Sequence, residues 1–158
     1  MPEHRIISLI ASSTETLCAL GFRDSLVGRS HECDYPASVT SLPKCSEPKF
    51  DTCGTSKEID TRVLNTLKEA LSVYRIDIDL LEKLQPTLIV TQDHCEVCAV
   101  SLKDVQSAVC QVLSSEPKIV SLSPNSLKDL LDGIQEIAAA LEAPETGGKL
   151  IAEMERRM

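Results

Sequence analysis

Four short apolar runs separated by helix signals constrain the fold of this chain more than any other feature. The runs span residues 5–10, 25–30, 87–91 and 118–122, and they are rich in Ile, Val and Leu. An unbroken apolar run such as 87–91 is typical of a strand that is covered on both faces of a parallel sheet. The alternation of strand and helix therefore predicts a three-layer α/β domain with a mostly parallel sheet.

Capping signals indicate where the predicted helices begin and end. The predicted N-caps are Ser12, Thr55, Asp77, and Ser126 or Asn125. Glu15 and Glu58 follow the first two caps by three residues, which completes the pattern of a capping box. Gly21 is predicted to end the first helix. A further helical stretch begins at Pro144 and runs to the last residue.

The loops that follow the strands are the place where a ligand is expected. Crossovers in parallel sheets are right-handed, so the carboxyl ends of the strands share one edge, and ligands bind there. These loops begin near Ala11, His31, Gln92 and Ser123. The second loop is too long for a simple connector, which predicts that it is functional or packed by its own side chains.

Composition excludes several classes of partner. The chain has 158 residues and a net charge of -8, and it carries no basic stripe, so we expect no nucleic-acid partner. Aromatic residues make up 3% and tryptophan is absent, which argues against a stacking platform for single strands. No run approaches the ~18 apolar residues that a membrane-spanning helix needs, so no membrane insertion is expected.

The first residues and the cysteines suggest a reducing compartment. "MPEHRIISLIASSTET" lacks the pattern of a secretory signal, so we expect a cytoplasmic protein with reduced thiols. Of the seven cysteines, Cys18 and Cys110 lie on apolar faces of predicted helices and are interpreted as small core residues.

The segment "TQDHCEVCAVS" (91–101) offers the densest set of functional groups. In one interpretation, Gln92, Asp93, His94 and Cys95 line a small-molecule pocket. In a second, His94, Cys95 and Cys98 bind zinc or an iron–sulfur cluster, because two thiolates three positions apart can converge on one ion. A tetrahedral site needs four donors, and the remaining candidates are His31, Cys33, Cys45 and Cys53 in the long loop.

Two further interpretations of this segment stay open. Cys95 and Cys98 could form a redox pair at a helix N-terminus, where the helix dipole lowers the pKa of a thiol. Alternatively, Asp93 and Ser101 only organise the turn while both cysteines pack inward.

Two other loops carry candidate ligand-binding residues. In "HECDYP", Tyr35 offers an aromatic face and Cys33 and Asp34 accompany it. In the simpler interpretation, Pro36 only marks the start of a helix. Ser12 and Ser13 lie in the first turn of a helix, where exposed amides can bind an anionic or amide group. In the simpler interpretation these serines only cap the helix.

Motifs for catalysis are missing. The sequence contains no Gly-x-Ser-x-Gly elbow, no phosphate-binding glycine loop and no His-Glu-x-x-His. We therefore expect a binding protein and not an enzyme.

Three segments resemble the cobalamin-binding, class III substrate-binding proteins of ABC transporters. "RIISLIASSTETLCALGFRDSLVGRSHECDYP" is similar to the opening of that family, and "TQDHCEVCAVS" to a segment of one branch that often lacks an export signal. "SLSPNSLKDLLDGIQEIAAAL", followed by "GGKLIAEMERRM", is similar to the start of the helix that joins two lobes. The resemblance implies a Rossmann-like N-terminal lobe at residues 1–125. Residues 126–158 would then be the start of a long connecting helix, with the second lobe absent.

The resemblance also implies a ligand and partners. The ligand would be a corrinoid, cobalamin, or a similar macrocycle, and the partners a C-terminal lobe or a second copy of the chain, together with a transporter permease. The implied ligand-binding residues are Ser12, Ser13, Cys33, Asp34, Tyr35, Gln92, Asp93, His94 and Cys95. The alternative is a thiol-ligated metal or redox protein that uses Cys95 and Cys98.

Overall fold

A computed structural model of the chain describes residues 4–69, 73–93, 100, 102–112 and 115–158. In chain order its elements are β1 (Ile6–Ser8), α1 (Ala11–Ala19), β2 (Leu26–Arg29), β3 (Ser46–Pro48), α2 (Ser56–Glu69), β4 (Tyr74–Ile76), α3 (Ile78–Leu84), β5 (Leu88–Gln92), α4 (Leu102–Val112), β6 (Lys118–Leu122), α5 (Leu127–Ala140) and α6 (Pro144–Arg157). Within the described ranges, no helix combines the length and apolar character needed to cross a membrane.

The four predicted strands form one parallel sheet. Its order is β2-β1-β5-β6, so the first strand lies in the middle and β6 lies at an edge. In the register of the central strands, Ile6 lies between Leu26 and Leu88. The predicted α/β architecture with a mostly parallel sheet is confirmed.

A small antiparallel ribbon of β3 and β4 was not predicted. Ser46 pairs with Ile76 and Pro48 with Tyr74. The helix pattern of the sequence runs on to Tyr74, but this residue begins a strand instead. Three-residue strands are too short to show a period of two, so periodicity cannot detect them.

The side chains of each strand point alternately to the two faces of the sheet, which divides the core into two layers. Ile6, Leu88 and Val90 face one cluster, which is completed by residues of α1 and α5 such as Leu17 and Ile137. The neighbouring strand residues face the opposite cluster, with the buried side chains of α3 and α4. Because successive side chains of a strand point to opposite faces, helices cover the sheet on both sides.

Most of the predicted caps are present. Thr55 and Glu58 form the capping box, with the Thr55 N–H donating to Glu58 Oε2 at 2.8 Å. Asp77 Oδ1 accepts from Leu80 N at 2.9 Å, and Ser126 Oγ accepts from Asp129 N at 3.2 Å.

The cap predicted at Ser12 is wrong. The first helix begins at Ala11, with Ile10 as its N-cap, and no side chain bonds to its first amides. Ser13 Oγ instead donates to Ile10 O at 3.0 Å. The predicted end at Gly21 is confirmed, since this glycine has a φ of 86°, in the region that favours glycine.

The last two helices fold back on the lobe. Ile134, Ile137 and Leu141 of the α5 segment are buried in the core, and α6 packs against α5. Glu142 has a φ of 57°, which places a break between the two helices. The buried residues of α5 thus pack against one face of the sheet, while the division of the chain at residue 126 stays a prediction.

Adjacent glycines in α6 provide a test of this packing. A Cβ at Gly147 would lie 2.6 Å from Ala138 Cβ, whereas nothing lies within 4 Å of one at Gly148. We expect Gly147→Ala to lower the free energy of unfolding by about 1–3 kcal/mol through overpacking. Gly148→Ala should raise it by about 0.5–1 kcal/mol, because alanine favours a helix. Urea denaturation measures both, and equal effects would contradict the α5–α6 contact.

Candidate functional site

A cavity of about 870 Å³ begins at the carboxyl-terminal edge of the sheet and extends between α1, α5 and α6. At the edge it is lined by Ser12, Tyr35, Pro36, Ser123 and Pro124. These residues come from the loops that follow β1, β2 and β6. Three strand ends that are distant in sequence therefore contribute to one concave surface, as the right-handed crossovers predict.

The walls of the cavity are mixed in character. Leu130, Ile134, Leu150 and Met154 supply apolar surface from α5 and α6. The charged residues of the lining are Glu15, Asp129, Asp132, Glu136 and Arg157. The cavity thus offers apolar contact together with a rim that is mainly acidic.

Tyr35 is the most exposed aromatic side chain of the described residues, and it lines the cavity. Its side chain is 65% exposed. The loop that carries it is held by the buried guanidinium of Arg29, which donates to the carbonyls of Cys33 at 2.8 Å and Thr40 at 3.0 Å. A buried side chain on β2 therefore fixes the loop that presents Tyr35.

A buried network of hydroxyls ties the β1 and β2 loops together. Ser8 Oγ lies 2.7 Å from Ser13 Oγ and 2.8 Å from Thr14 Oγ1. Thr14 Oγ1 also donates to Cys33 Sγ at 3.0 Å. Ser13 and Cys33, both predicted to bind ligand, are thus fully buried and bonded to other protein groups beneath the edge.

His31 is held beside the antiparallel ribbon. Its Nδ1 lies 3.1 Å from Ser46 Oγ, and its ring centroid lies 5.2 Å from that of Tyr74. Burial lowers the pKa of His31 below its usual value. The imidazole is therefore neutral at pH 7 and is anchored in the protein, away from the cavity lining.

The end of β5 lies next to β6. Gln92 is nearly buried, and the Asp93 N–H donates to Leu122 O at 3.0 Å. Neither residue lines the cavity, and Asp34 does not line it either. Of the predicted ligand-binding residues, the structure brings Ser12 and Tyr35 together in this cavity.

His94, Cys95 and Cys98 lie outside the described residues, so the metal and redox interpretations stay predictions. Within the described ranges, no group of three or more His, Cys, Asp or Glu side chains is placed to hold a metal ion. Cys33 and Cys45 are buried and Cys53 is exposed. Burial raises the pKa of Cys45 to about 12, which keeps this thiol protonated at neutral pH.

Sequence reasoning missed the part of the cavity formed by α5 and α6. Both helices contribute walls, through residues such as Leu130, Gly133 and Met154. The loop near Ser123 was expected at the edge, but the sequence offers no signal for which side of α5 remains uncovered. The relative placement of α1, α5 and α6 decides that.

A family model and several solved structures match this chain. The family model described as "Periplasmic binding protein" matches residues 6–158. The periplasmic heme-binding protein RhuT from Roseiflexus sp. RS-1 superposes with a TM-score of 0.68 at 22% identity, covering 98% of this chain and 47% of that one. The periplasmic vitamin B12 binding protein BtuF of Vibrio cholerae gives 0.67 at 21% identity, covering 99% and 48%.

A periplasmic heme binding protein from Pseudomonas aeruginosa is similar too, with a TM-score of 0.68 at 14% identity, 99% of this chain and 44% of that one being covered. The chain thus spans about half the length of these solved relatives. At such identities the likeness establishes the fold alone. A search of curated proteins gives no significant match.

These matches correct the expected location of the protein and show its family. The matching family and the solved relatives are periplasmic binding proteins, so the cytoplasmic location expected from the first residues is wrong. The match over residues 6–158, together with the parallel-sheet lobe, shows that the chain belongs to the periplasmic binding protein family.

Proposed function

We propose that the chain is a non-catalytic binding module for a flat, tetrapyrrole-sized macrocycle, and that its ligand is a corrinoid, cobalamin. The observation that carries the proposal is the cavity of about 870 Å³ at the strand-end edge, with an exposed aromatic side chain on its lip. Small-molecule sites commonly have volumes of about 300–1,000 Å³ and form at this edge of α/β sheets.

Tyr35 supplies a stacking surface for the ring. An aromatic side chain that is 65% exposed loses apolar contact with water when a flat ligand covers it. The Arg29 hydrogen bonds hold its loop before the ligand arrives. Less conformational freedom is then lost on binding, which favours affinity.

Hydroxyl groups around the cavity suit the amide-rich rim of a corrin ring. Ser12, Ser121 and Ser123 all contribute to the lining. Ser12 and Ser123 are exposed, so their hydroxyls can hydrogen-bond to amides of a ligand in the cavity. Ser13 and Cys33 support the edge from beneath in this proposal, whereas Gln92, Asp93, His94 and Cys95 extend it.

Heme is the second candidate ligand. Several of the solved relatives bear the name heme-binding protein, and one is named for vitamin B12. Both contain a flat tetrapyrrole-type ring of similar width, so an apolar wall and a stacking side chain suit either of them. The sequence-based alternative, a thiol-ligated metal or redox function at Cys95 and Cys98, is tested by metal analysis of anaerobically purified protein. Stoichiometric zinc or iron that is lost in Cys95→Ser would favour it.

The proposed function also includes protein partners. Because the solved relatives are about twice as long, we propose that a second lobe, or a second copy of the chain, encloses the exposed side of the ligand and that a transporter permease receives it. A ligand covered on one side leaves much of its surface in water, so this lobe alone should bind weakly.

Removing the aromatic face should weaken binding. We expect Tyr35→Ala to reduce cyanocobalamin affinity by about 1–2 kcal/mol, which is about five- to thirtyfold, while Tyr35→Phe retains most of it. Titration calorimetry measures the change. Leu64→Ala is the matched control, since Leu64 is 51% exposed on α2 and does not line the cavity. Equal affinities for Tyr35→Ala and Leu64→Ala would contradict stacking on Tyr35.

A further inference from the structure

Carboxylates dominate the charged groups of the cavity. Among the residues that the structure describes, four acidic residues and one basic residue line it. On α5, Asp129, Asp132 and Glu136 follow one another at spacings of three and four, which places them on the same side of the helix. Glu15 lies on α1 and lines the same cavity. Negative charge therefore borders the cavity on two different helices.

Partners of these carboxylates neutralise only part of that charge. Asp132 forms an ion pair with Lys128. Asp129 Oδ2 accepts from the backbone N–H of Asn125 at 3.0 Å, and this hydrogen bond lowers the pKa of Asp129, so the group stays ionised at pH 7. For Glu15 and Glu136, the described residues provide no ion-pair partner.

The surroundings strengthen the effect of these charges on a bound molecule. Leu130, Ile134 and Met154 form apolar wall between the acidic side chains. A ligand seated against this wall displaces water, and a cleft lined by one sign of charge focuses its field. Its own charge then interacts with the carboxylates through a medium of lower dielectric constant than water.

We infer that this cavity selects its macrocycle by charge, accepting neutral, amide-rimmed rings and disfavouring rings that carry carboxylates. This inference rests on the proposed function, since it assumes that the macrocycle occupies the cavity. The side chains of a cobalamin ring end in neutral amides, which can donate hydrogen bonds to carboxylate oxygens. Heme carries two propionates, and among the described residues of the lining only Arg157 is basic and could attract them. The acidic rim thus distinguishes the two candidate ligands, although the widths of their rings do not.

A matched series of ligands tests the inference on the purified chain. Cyanocobalamin is compared with its separated monocarboxylates, in which one side-chain amide is hydrolysed to a carboxylate, and with hemin. We expect at least one monocarboxylate to bind about three- to tenfold more weakly than cyanocobalamin at low salt, and hemin to bind more weakly still. The difference should shrink at 0.5 M NaCl, because salt screens exposed charges.

Variants separate the rim from the overall charge of the protein. Glu15→Gln/Glu136→Gln should restore most of the monocarboxylate's lost affinity relative to cyanocobalamin measured on the same variant. Asp60→Asn/Glu153→Gln removes the same charge from exposed positions outside the cavity lining and should restore nothing. Thermal melting of each variant confirms that it is folded.

The outcomes distinguish this inference from the proposed function. If none of the ligands binds, the proposed function fails and the inference falls with it. If hemin binds more tightly than cyanocobalamin, or every monocarboxylate binds as cyanocobalamin does, macrocycle binding stands and charge selection is overturned. An equal rescue by both double variants would also overturn it, since the effect would then come from net charge.

Discussion

Replacing Arg29 with methionine is expected to destabilise the lobe by about 2–4 kcal/mol and to weaken ligand binding as well. Arg29 is only 5% exposed, and its guanidinium donates to the carbonyls of Ser30, Cys33 and Thr40. Methionine retains much of the apolar stem but leaves these acceptors without their donors. Since the same carbonyls hold the loop that carries Tyr35, the loop should lose its fixed position.

A matched variant distinguishes this role from a general effect of removing arginine. Arg23 also donates to the same loop, at Ser38, but its side chain is exposed at that contact. We expect Arg23→Met to change the free energy of unfolding by less than about 1 kcal/mol. Urea denaturation gives both values, and cyanocobalamin titration of the folded fraction gives the effect on binding. Similar losses for the two variants would contradict the bracing role of Arg29.

Ile137→Ala is expected to cost about 2–5 kcal/mol of unfolding free energy. Ile137 is 1% exposed and lies in the core layer between the sheet and α5. The cost combines lost apolar burial with the cavity left behind, because close-packed neighbours relax only partly. It is a large share of the about 5–15 kcal/mol that stabilises a typical domain.

Leu127 on the same helix provides the control. It is 54% exposed, so Leu127→Ala should change stability by about 0.5 kcal/mol or less. Thermal and urea denaturation of both variants measure the difference. If the two substitutions cost the same, α5 would not be a core helix of this lobe, and the cavity that it borders would lose its wall.

Much of the sheet could be predicted because its signals are local. The apolar runs are long enough to indicate buried strands, and the right-handed crossover rule then places their ends at one edge. The capping box of Thr55 with Glu58 and the cap at Ser126 involve groups within four residues of each other. Such contacts depend little on the rest of the fold, so the sequence is sufficient to find them.

Features that depend on distant contacts could not be predicted in the same way. Ser12 has the pattern of a cap, but the turn after β1 starts the helix two residues earlier, and Ser13 bonds into the buried network with Ser8. The ribbon of β3 and β4 exists only because residues 46–48 meet residues 74–76 across the fold. Neither strand has a pattern of its own.

The same distinction between local and distant contacts applies to the candidate site. The loops that approach the cavity could be named from strand ends, and Ser12 and Tyr35 do line it. Inward and outward side chains of a loop look alike in sequence, however, and Cys33 turned inward to contact Thr14. The acidic residues of α5 lie beside the cavity because of the way α1, α5 and α6 pack together. No local sequence pattern predicts that packing.

Corrinoid binding at this edge is measured by titrating cyanocobalamin into the purified chain and following the heat and the corrin absorbance. We expect weak, saturable one-to-one binding that Tyr35→Ala reduces about five- to thirtyfold. No heat and no spectral change up to millimolar ligand, with the chain alone and with a second lobe supplied, would contradict corrinoid binding at this edge.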